Sequence, residues 1–396
     1  MKNRPALLLL ALVVFVDMLG FGMVIPVMAL YAEKLGASVA STGWLSTLYS
    51  LMQLVFAPVW GRLSDRVGRR PVLLVSIAMT ALAFLFYGLA GSFTVLLLSR
   101  LFAGAGTANI AIAQAYVADV TRPEDRAKGM GVLGAAFGMG FVLGPALGGL
   151  LSSYSLAAPG FAASALSVLN LIGAWILLPE PAHRSAAPAT TRRLSALFAE
   201  LRKPGVRRII VIYFLAIAAF SAMESTYAFL AEKRYGLSEK HVAYVFAYIG
   251  VLVAITQGGL VGPLSRKLGE KRLLVIGSVL QAVGLAWLPF GEGVSGLLLA
   301  SAPLSVGSGL ASPALSSLLS KLSADEDQGG TLGIGQSAAA LGRIIGPVSG
   351  TRSFATWQPA PYLGGAAIMA LAAVVGATIR TGRPEAAAPR GEGQQA

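Results

Sequence analysis

The sequence predicts an all-α polytopic membrane protein, with twelve transmembrane helices arranged as two bundles of six. Three observations carry that expectation: a composition short of charge, about twelve apolar runs of span length, and a six-span pattern that occurs twice. Of 396 residues, 55% are hydrophobic and 12% charged, and the mean hydropathy is +0.71. Soluble domains carry about 25% charged residues. Lipid is therefore the expected solvent for most of the surface.

A helix of about 20 apolar residues crosses the hydrocarbon layer. Such runs fall near residues 5–31, 42–61, 72–91, 94–118, 129–151, 160–178, 208–231, 241–262, 272–290, 295–320, 331–350 and 361–380. Only helices suit them, because each run then satisfies its own backbone within the bilayer. The first run follows Lys2 and Arg4, as in a signal peptide, but it continues to about Tyr31 and reads as an uncleaved span.

The net charge of +13 is not gathered into a basic domain, which argues against a nucleic-acid partner. With both termini in the cytoplasm, 24 of the 31 Lys and Arg face inward; Lys34, Lys233, Arg234, Lys240 and Arg352 face outward, and Arg100 and Arg343 lie within spans. That bias predicts a multi-pass plasma-membrane protein with this orientation. Cysteine is absent, and His183 and His241 lie outside the spans, so disulfides, thiolate chemistry and Cys/His metal sites are excluded. No phosphate-binding loop or HExxH motif occurs, and GxG pairs such as Gly104 to Gly106 lie inside apolar runs. An enzyme is not expected, nor is a cofactor.

Four segments follow: a six-helix bundle over 1–178, a cytoplasmic linker over 179–207, a second bundle over 208–380, and a disordered cytoplasmic tail over 381–396. In the linker, Leu194, Leu197, Phe198 and Leu201 share one helical face between flanking arginines. Both a helix on the membrane surface and a flexible connection fit that pattern. The halves resemble each other. Ala32-Glu33-Lys34 recurs as Ala231-Glu232-Lys233, Gly61 to Arg70 recurs as Gly262 to Lys271, and Gly144-Pro145 recurs as Gly346-Pro347, at offsets of 199, 201 and 202. A duplicated unit of this kind places a substrate between its halves near the bilayer midplane.

Asp17 sits near the middle of the first run. A carboxylate there is penalised by roughly 3 kcal/mol, so it faces a cavity or a partner helix. It reads either as a proton carrier or as an acid bonded permanently to a neighbour. Arg100, Gly104, Thr107, Ala111 and Gln114 share a face of the fourth run, with Asn109 opposite. Glu224 shares a face with Tyr227 and Ala228 in the outer half of the seventh run, where it meets either a pocket or water. Arg343 and Gln336 share a face of the eleventh, and Arg343 could neutralise Glu224 or Asp17. With Phe21, these residues (Gln114, Glu224, Tyr227, Gln336 and Arg343) form the expected substrate cavity. Gly140, Gly144 and Gly148 repeat every four residues beside Pro145 and Gly149, a pattern for close packing and for a hinge. Asp65 is the single acid among Arg62, Arg66, Arg69 and Arg70, and its counterpart in the second half is Arg266. Asp65, Arg66, Arg69 and Arg70 are expected to form a gating cluster that stabilises the outward-open state.

Asp17 to Pro26, Gly61-Arg-Leu-Ser-Asp-Arg-Val-Gly-Arg-Arg70, Leu97 to Gly106 and Gly138 to Gly149 resemble the signature segments of the major facilitator superfamily, and within it the twelve-helix drug–proton antiporters, including tetracycline–proton antiporters. The resemblance spans nearly the whole chain. It implies the major facilitator fold in a bacterial inner membrane, protons as the coupling ion, and a proton-coupling role for Arg100 beside Asp17. It further implies export of small lipophilic or cationic compounds by alternating access, with a monomer, the bilayer and a small-molecule substrate as the only parties. One departure stands out: Gln281 occupies the position where similar tetracycline antiporters carry an acid, which argues against tetracycline–metal exchange. A facilitator or proton symporter for a sugar or other small metabolite is the alternative.

Overall fold

Hydrocarbon offers the backbone no hydrogen-bond partner, and the described residues answer with helix after helix. The computed structural model describes residues 4–121, 123–181, 203–322 and 328–379. The linker stripe and the tail lie outside the described residues. Among those described, the chain forms twelve helical spans: Arg4–Lys34, Val39–Val67, Arg69–Gly88, Phe93–Val120, Pro123–Ser152, Ala158–Leu177, Pro204–Tyr235, Glu239–Leu268, Glu270–Trp287, Gly293–Lys321, Gln328–Thr356 and Ala360–Ala377. Nine of these are apolar enough over a span length to cross a membrane by composition alone. The other three are spans two, nine and eleven. Span nine opens on Glu270-Lys271-Arg272, while spans two and eleven contribute hydroxyl, amide and charged side chains to interior cavities.

Two spans are not regular α-helix from end to end. Span four breaks at Thr107–Ala108 into Phe93–Gly106 and Asn109–Val120, and span eight contains a π-turn over Thr256–Leu260. The reading of span four as one continuous helix is thereby corrected. Breaks of this sort persist in membranes only where side chains satisfy the freed backbone. Here the Ser76 hydroxyl donates to the Gly106 carbonyl at 2.6 Å and accepts from the Ala108 amide at 2.9 Å.

Within the first half, span one lies along span five; within the second, span seven lies along span eleven in the equivalent place. Glycines set both approaches. A Cβ on Gly140 would meet the Phe15 carbonyl at 2.6 Å, and one on Gly144 would meet Gly22 Cα at 2.7 Å. Gly148 presses against Met23 in the same way. Two hundred and two residues later, Gly342, Gly346 and Gly350 meet Phe214, Ala218 and Ala222. Pro145 and Pro347 sit inside these helices without ending them. The small-residue stripe therefore lets backbones touch, which is how helices associate where lipid removes the hydrophobic drive.

The halves meet through spans two and eleven and through spans five and eight. Thr47 donates to the Ile344 carbonyl at 2.6 Å and Thr351 to the Ala40 carbonyl at 3.3 Å. Gly149 abuts Lys240 and Ala243, and Gly250 abuts Val142. Lys34–Glu239 at 2.7 Å and Lys233–Glu33 at 2.9 Å tie the halves at the same face. At the opposite, arginine-rich face, the halves part around a cavity of about 750 Å³. The molecule is thus closed at one face and open at the other.

Gly43 marks the tightest point of the closed face, since a Cβ there would lie 2.5 Å from the Pro347 carbonyl. Overpacking such a contact costs about 1–3 kcal/mol, enough to shift a two-state equilibrium about tenfold. Gly43→Leu should therefore part spans two and eleven. A cysteine placed at Thr42 in this cysteine-free chain should then react about tenfold faster with a membrane-impermeant maleimide. An unchanged labelling rate would mean that the contact yields without opening.

Candidate functional site

Two cavities lie between the halves and Arg343 lines both, while a smaller one lies inside the first half. The vestibule at the arginine-rich face is lined by Trp60, Asp65, Arg69, Gln114, Gln336 and Arg343 among others. Beyond Arg343 lies a central pocket of about 90 Å³, walled by Phe21, Met28, Tyr49, Ser221, Glu224, Ser225, Pro347 and Arg100. A side pocket of about 20 Å³ opens beside it, lined by Asp17, Phe21, Tyr49, Phe84, Arg100 and Thr107.

Asp17 is 6% exposed and accepts a hydrogen bond from the Asn109 side-chain amide at 2.9 Å. Asp17 thus borders a cavity and also has a hydrogen-bond partner on a neighbouring helix. The break in span four explains the partner. A continuous helix would turn Asn109 away from Arg100, whereas the offset at Thr107–Ala108 presents Asn109 to span one. Asn109 is fully buried, and its Oδ1 has no hydrogen-bond partner among the described residues. An amide so placed can donate to a carboxylate and, after rotation, accept from a carboxylic acid. It serves both protonation states of Asp17.

Arg100 is 3% exposed and makes no ion pair within 4.0 Å among the described residues. Its guanidinium carbon lies 5.4 Å from the Tyr87 ring centre and 5.9 Å from that of Phe84. Nε reaches the Ser99 hydroxyl at 3.5 Å, and Nη2 has no hydrogen-bond partner among the described residues. Stacking on two rings partly replaces water around the cation. Tyr49 lies within electrostatic reach of Asp17, Arg100 and Arg343, and its hydroxyl donates to Thr107 at 3.3 Å.

Span seven presents Ser221, Glu224, Ser225 and Ala228 to the central pocket, the i, i+3, i+4, i+7 stripe of one helix face. Tyr227 falls on the neighbouring stripe, which corrects its placement in the cavity. It is fully buried in the second half, hydrogen-bonded to the Ser301 hydroxyl at 2.6 Å and edge-on to Phe246. Gln114 and Gln336 line the vestibule rather than the pocket that holds Glu224. Gln281 packs on Gly307 between spans nine and ten, inside the second half.

At the arginine-rich face, Arg69 rather than Asp65 is the hub. It pairs with Asp65 at 2.5 Å and with Asp119 at 2.9 Å, and donates to the Ser64 hydroxyl at 2.7 Å. The backbone amides of Arg69 and Arg70 donate to the Glu180 carboxylate at 2.8 and 3.0 Å. The turn that allows this needs Gly68, whose φ is +124° and whose Cβ would strike that carboxylate. Arg70 donates to the Trp175 carbonyl at 2.5 Å. Arg66 is exposed and joins no ion pair among the described residues, so it leaves the expected cluster. Asp119 and Glu180 join it.

The second half repeats this arrangement with its charges exchanged. Glu270 stands for Arg69, Lys321 for Asp119, Arg266 for Asp65 and Ser265 for Ser64, at offsets of 201 and 202. Glu270 pairs with Lys321 and accepts from the Ser265 hydroxyl at 3.3 Å. Aligning the repeats charge by charge is the sequence signal that could have found Asp119.

Twelve spans in two related sets of six, closed at one face and open at the other around buried charges, define a membrane transporter of the two-repeat kind. The sequence model of the Major Facilitator Superfamily matches residues 10–269 and 258–396, and the chain belongs to that family. It is 33% identical to the tetracycline resistance protein, class C, of Escherichia coli, over 93% of this chain and 95% of that one. It is 30% identical to multidrug resistance protein 2 of Bacillus subtilis (strain 168), over 88% of each. The crystal structure of the nucleoside transporter NupG superposes with a TM-score of 0.78 at 13% identity, over 94% of this chain and 98% of that one. Among the described residues, no group of three or more His, Asp or Glu could hold a metal ion.

The Asp119 side chain is 6% exposed and that of Arg69 is 16% exposed, whereas Asp65 is 57% exposed. Removing one member of a buried pair costs about 3–5 kcal/mol, while an exposed pair contributes about 0–1 kcal/mol. Arg69→Ala should lower the thermal unfolding midpoint in detergent well below that of Asp65→Asn. Adding Asp119→Ala to Arg69→Ala should recover part of the loss. An Arg69→Ala protein that melts with the wild type would remove the hub.

Proposed function

We propose that the chain exports small lipophilic or cationic compounds from the cytoplasm in exchange for protons, with Asp17 as the proton carrier. The observation that carries this reading is a lone carboxylate in the middle of span one, bordering a pocket and bonded to an amide that suits both its protonation states. The bias of Lys and Arg toward one face supports placing the open vestibule in the cytoplasm. The tetracycline and multidrug resistance relatives support export over uptake. In the cycle, a compound enters from the vestibule and passes Arg343 into the central pocket. A proton arriving from outside reaches Asp17 and leaves inward after the halves have rocked. Each proton moving inward down the membrane potential contributes about 2.3 kcal/mol per 100 mV. Glu224, with Ser221 and Ser225 around it, supports recognition of a positive or hydrogen-bonding group on an apolar body.

Everted vesicles distinguish this from a symporter or facilitator. Tetracycline or a cationic dye added to energised vesicles should release protons from the lumen only if exchange occurs. Asp17→Asn should insert and fold, yet abolish that release and accumulation against a gradient, while downhill dye exchange continues. Wild-type accumulation by the Asn variant would exclude Asp17 as the carrier.

A further inference from the structure

We propose that the side pocket beside Asp17 is a water-binding site, in which the Thr80 hydroxyl of span three and the Arg100 guanidinium of span four hold one water against Asp17. Its part in proton exchange rests on the export reading above, to which it adds Thr80 as a positioning residue. The pocket measures about 20 Å³, and its polar lining is Asp17, Tyr49, Thr80, Arg100 and Thr107. A buried water needs about 10–15 Å³ and two to four polar partners, so the pocket has room for one. Apolar cavities of this kind stay dry. This one gathers polar groups from spans one, two, three and four.

Two of those groups end in atoms that the protein itself leaves unpaired. Six other threonines, Thr42, Thr107, Thr121, Thr226, Thr256 and Thr351, each donate to the carbonyl three or four residues earlier. That is the usual arrangement for a hydroxyl on a helix. Thr80 departs from it: the residue is 7% exposed, and its Oγ1 has no hydrogen-bond partner among the described residues. Arg100, 3% exposed, leaves Nη2 in the same condition. The other polar groups of the pocket are partnered. Thr107 donates to the Ala103 carbonyl at 2.6 Å, Tyr49 donates to Thr107 at 3.3 Å, and Asp17 Oδ1 accepts from Asn109 at 2.9 Å. Buried polar atoms find a partner as a rule, and ordered water counts as one.

The chemistry of the two atoms selects the occupant. Nη2 can only donate, so the occupant must accept, whereas the Thr80 hydroxyl does either. A halide would accept from both, but an ionised Asp17 in the same small cavity repels an anion. A water accepts from Arg100, bonds to Thr80 and keeps an O–H for the second oxygen of Asp17. When Asp17 is protonated, its own O–H donates to the water, which turns to receive it. Arg100 makes no ion pair within 4.0 Å among the described residues, so the water joins it to Asp17 without locking the acid in a salt bridge.

Crystals of the full chain test the site directly. Wild-type electron density should show one peak within hydrogen-bond distance of Thr80 Oγ1 and Arg100 Nη2. Thr80→Val should lose that peak and Thr80→Ser should keep it, and crystals soaked in bromide should give no anomalous signal there. In everted vesicles, Thr80→Val should slow ethidium-driven proton release about tenfold, the effect of one hydrogen bond lost from a charged network. Thr80→Ser should restore the release to within about twofold of the wild type. No peak in the wild type, bromide in its place, a peak that survives Thr80→Val, or wild-type proton release by that variant would overturn the proposal. The wild-type density and bromide data decide it even if Thr80→Val fails to fold. A Thr80-dependent peak in a chain whose vesicles release no protons would sink the antiport reading and leave the water site standing.

Discussion

A charge in hydrocarbon is costly, by roughly 3 kcal/mol on insertion scales. This chain carries Asp17, Arg100, Glu224 and Arg343 inside its spans. Such residues are tolerable only if the two sets of six helices keep a polar space between them. That requirement organises much of what surrounds it. Spans two and eleven can be poorer in apolar residues because they face this space. Span four is broken where Asn109 must reach Asp17, and Ser76 repairs the backbone at that break. Glycine stripes on spans five and eleven draw spans one and seven close, which fixes Asp17 and Glu224 at the cavity wall.

The duplication explains the scaffold and not the charges of the pocket. Glycine triplets, loop glycines and the closed-face contacts recur in both halves at offsets near 202. So do the hubs at the arginine-rich face, but with acid and base exchanged between Arg69–Asp119 and Glu270–Lys321. Each hub ties the start of one span to the end of another inside its own half, which lets each half move as a unit. The pocket charges have no such counterparts: Ala216 matches Asp17, and Ser301 matches Arg100. A symmetric frame thus encloses an asymmetric site.

Much of this was legible in the sequence, for physical reasons that also mark its limits. Composition and run length gave the twelve spans because the bilayer imposes one length on every crossing. The mid-span position of Asp17 and the stripe of Gly140, Gly144 and Gly148 were visible because each is abnormal for a helix in lipid. Helical periodicity placed Glu224 on the pocket wall, yet misplaced Tyr227, which lies one stripe away and faces span ten. It also turned Asn109 away from its acid, since no residue at Thr107–Ala108 announces a break. The partners Asp119 and Glu180 are distant in sequence from Arg69, and only the folded bundle brings those helix ends together.

The central claim is that two rigid halves rock about their shared contacts, opening one face as the other closes. Spin labels in this cysteine-free chain measure it directly: one pair at Arg62 and Lys267 across the vestibule, another at Ser38 and Arg234 across the closed face. In liposomes, distance distributions should show the first pair long and the second short. Acidifying the outer side should populate a second state in which the first pair shortens and the second lengthens together. A change confined to one pair, or both pairs moving in the same direction, would contradict the account.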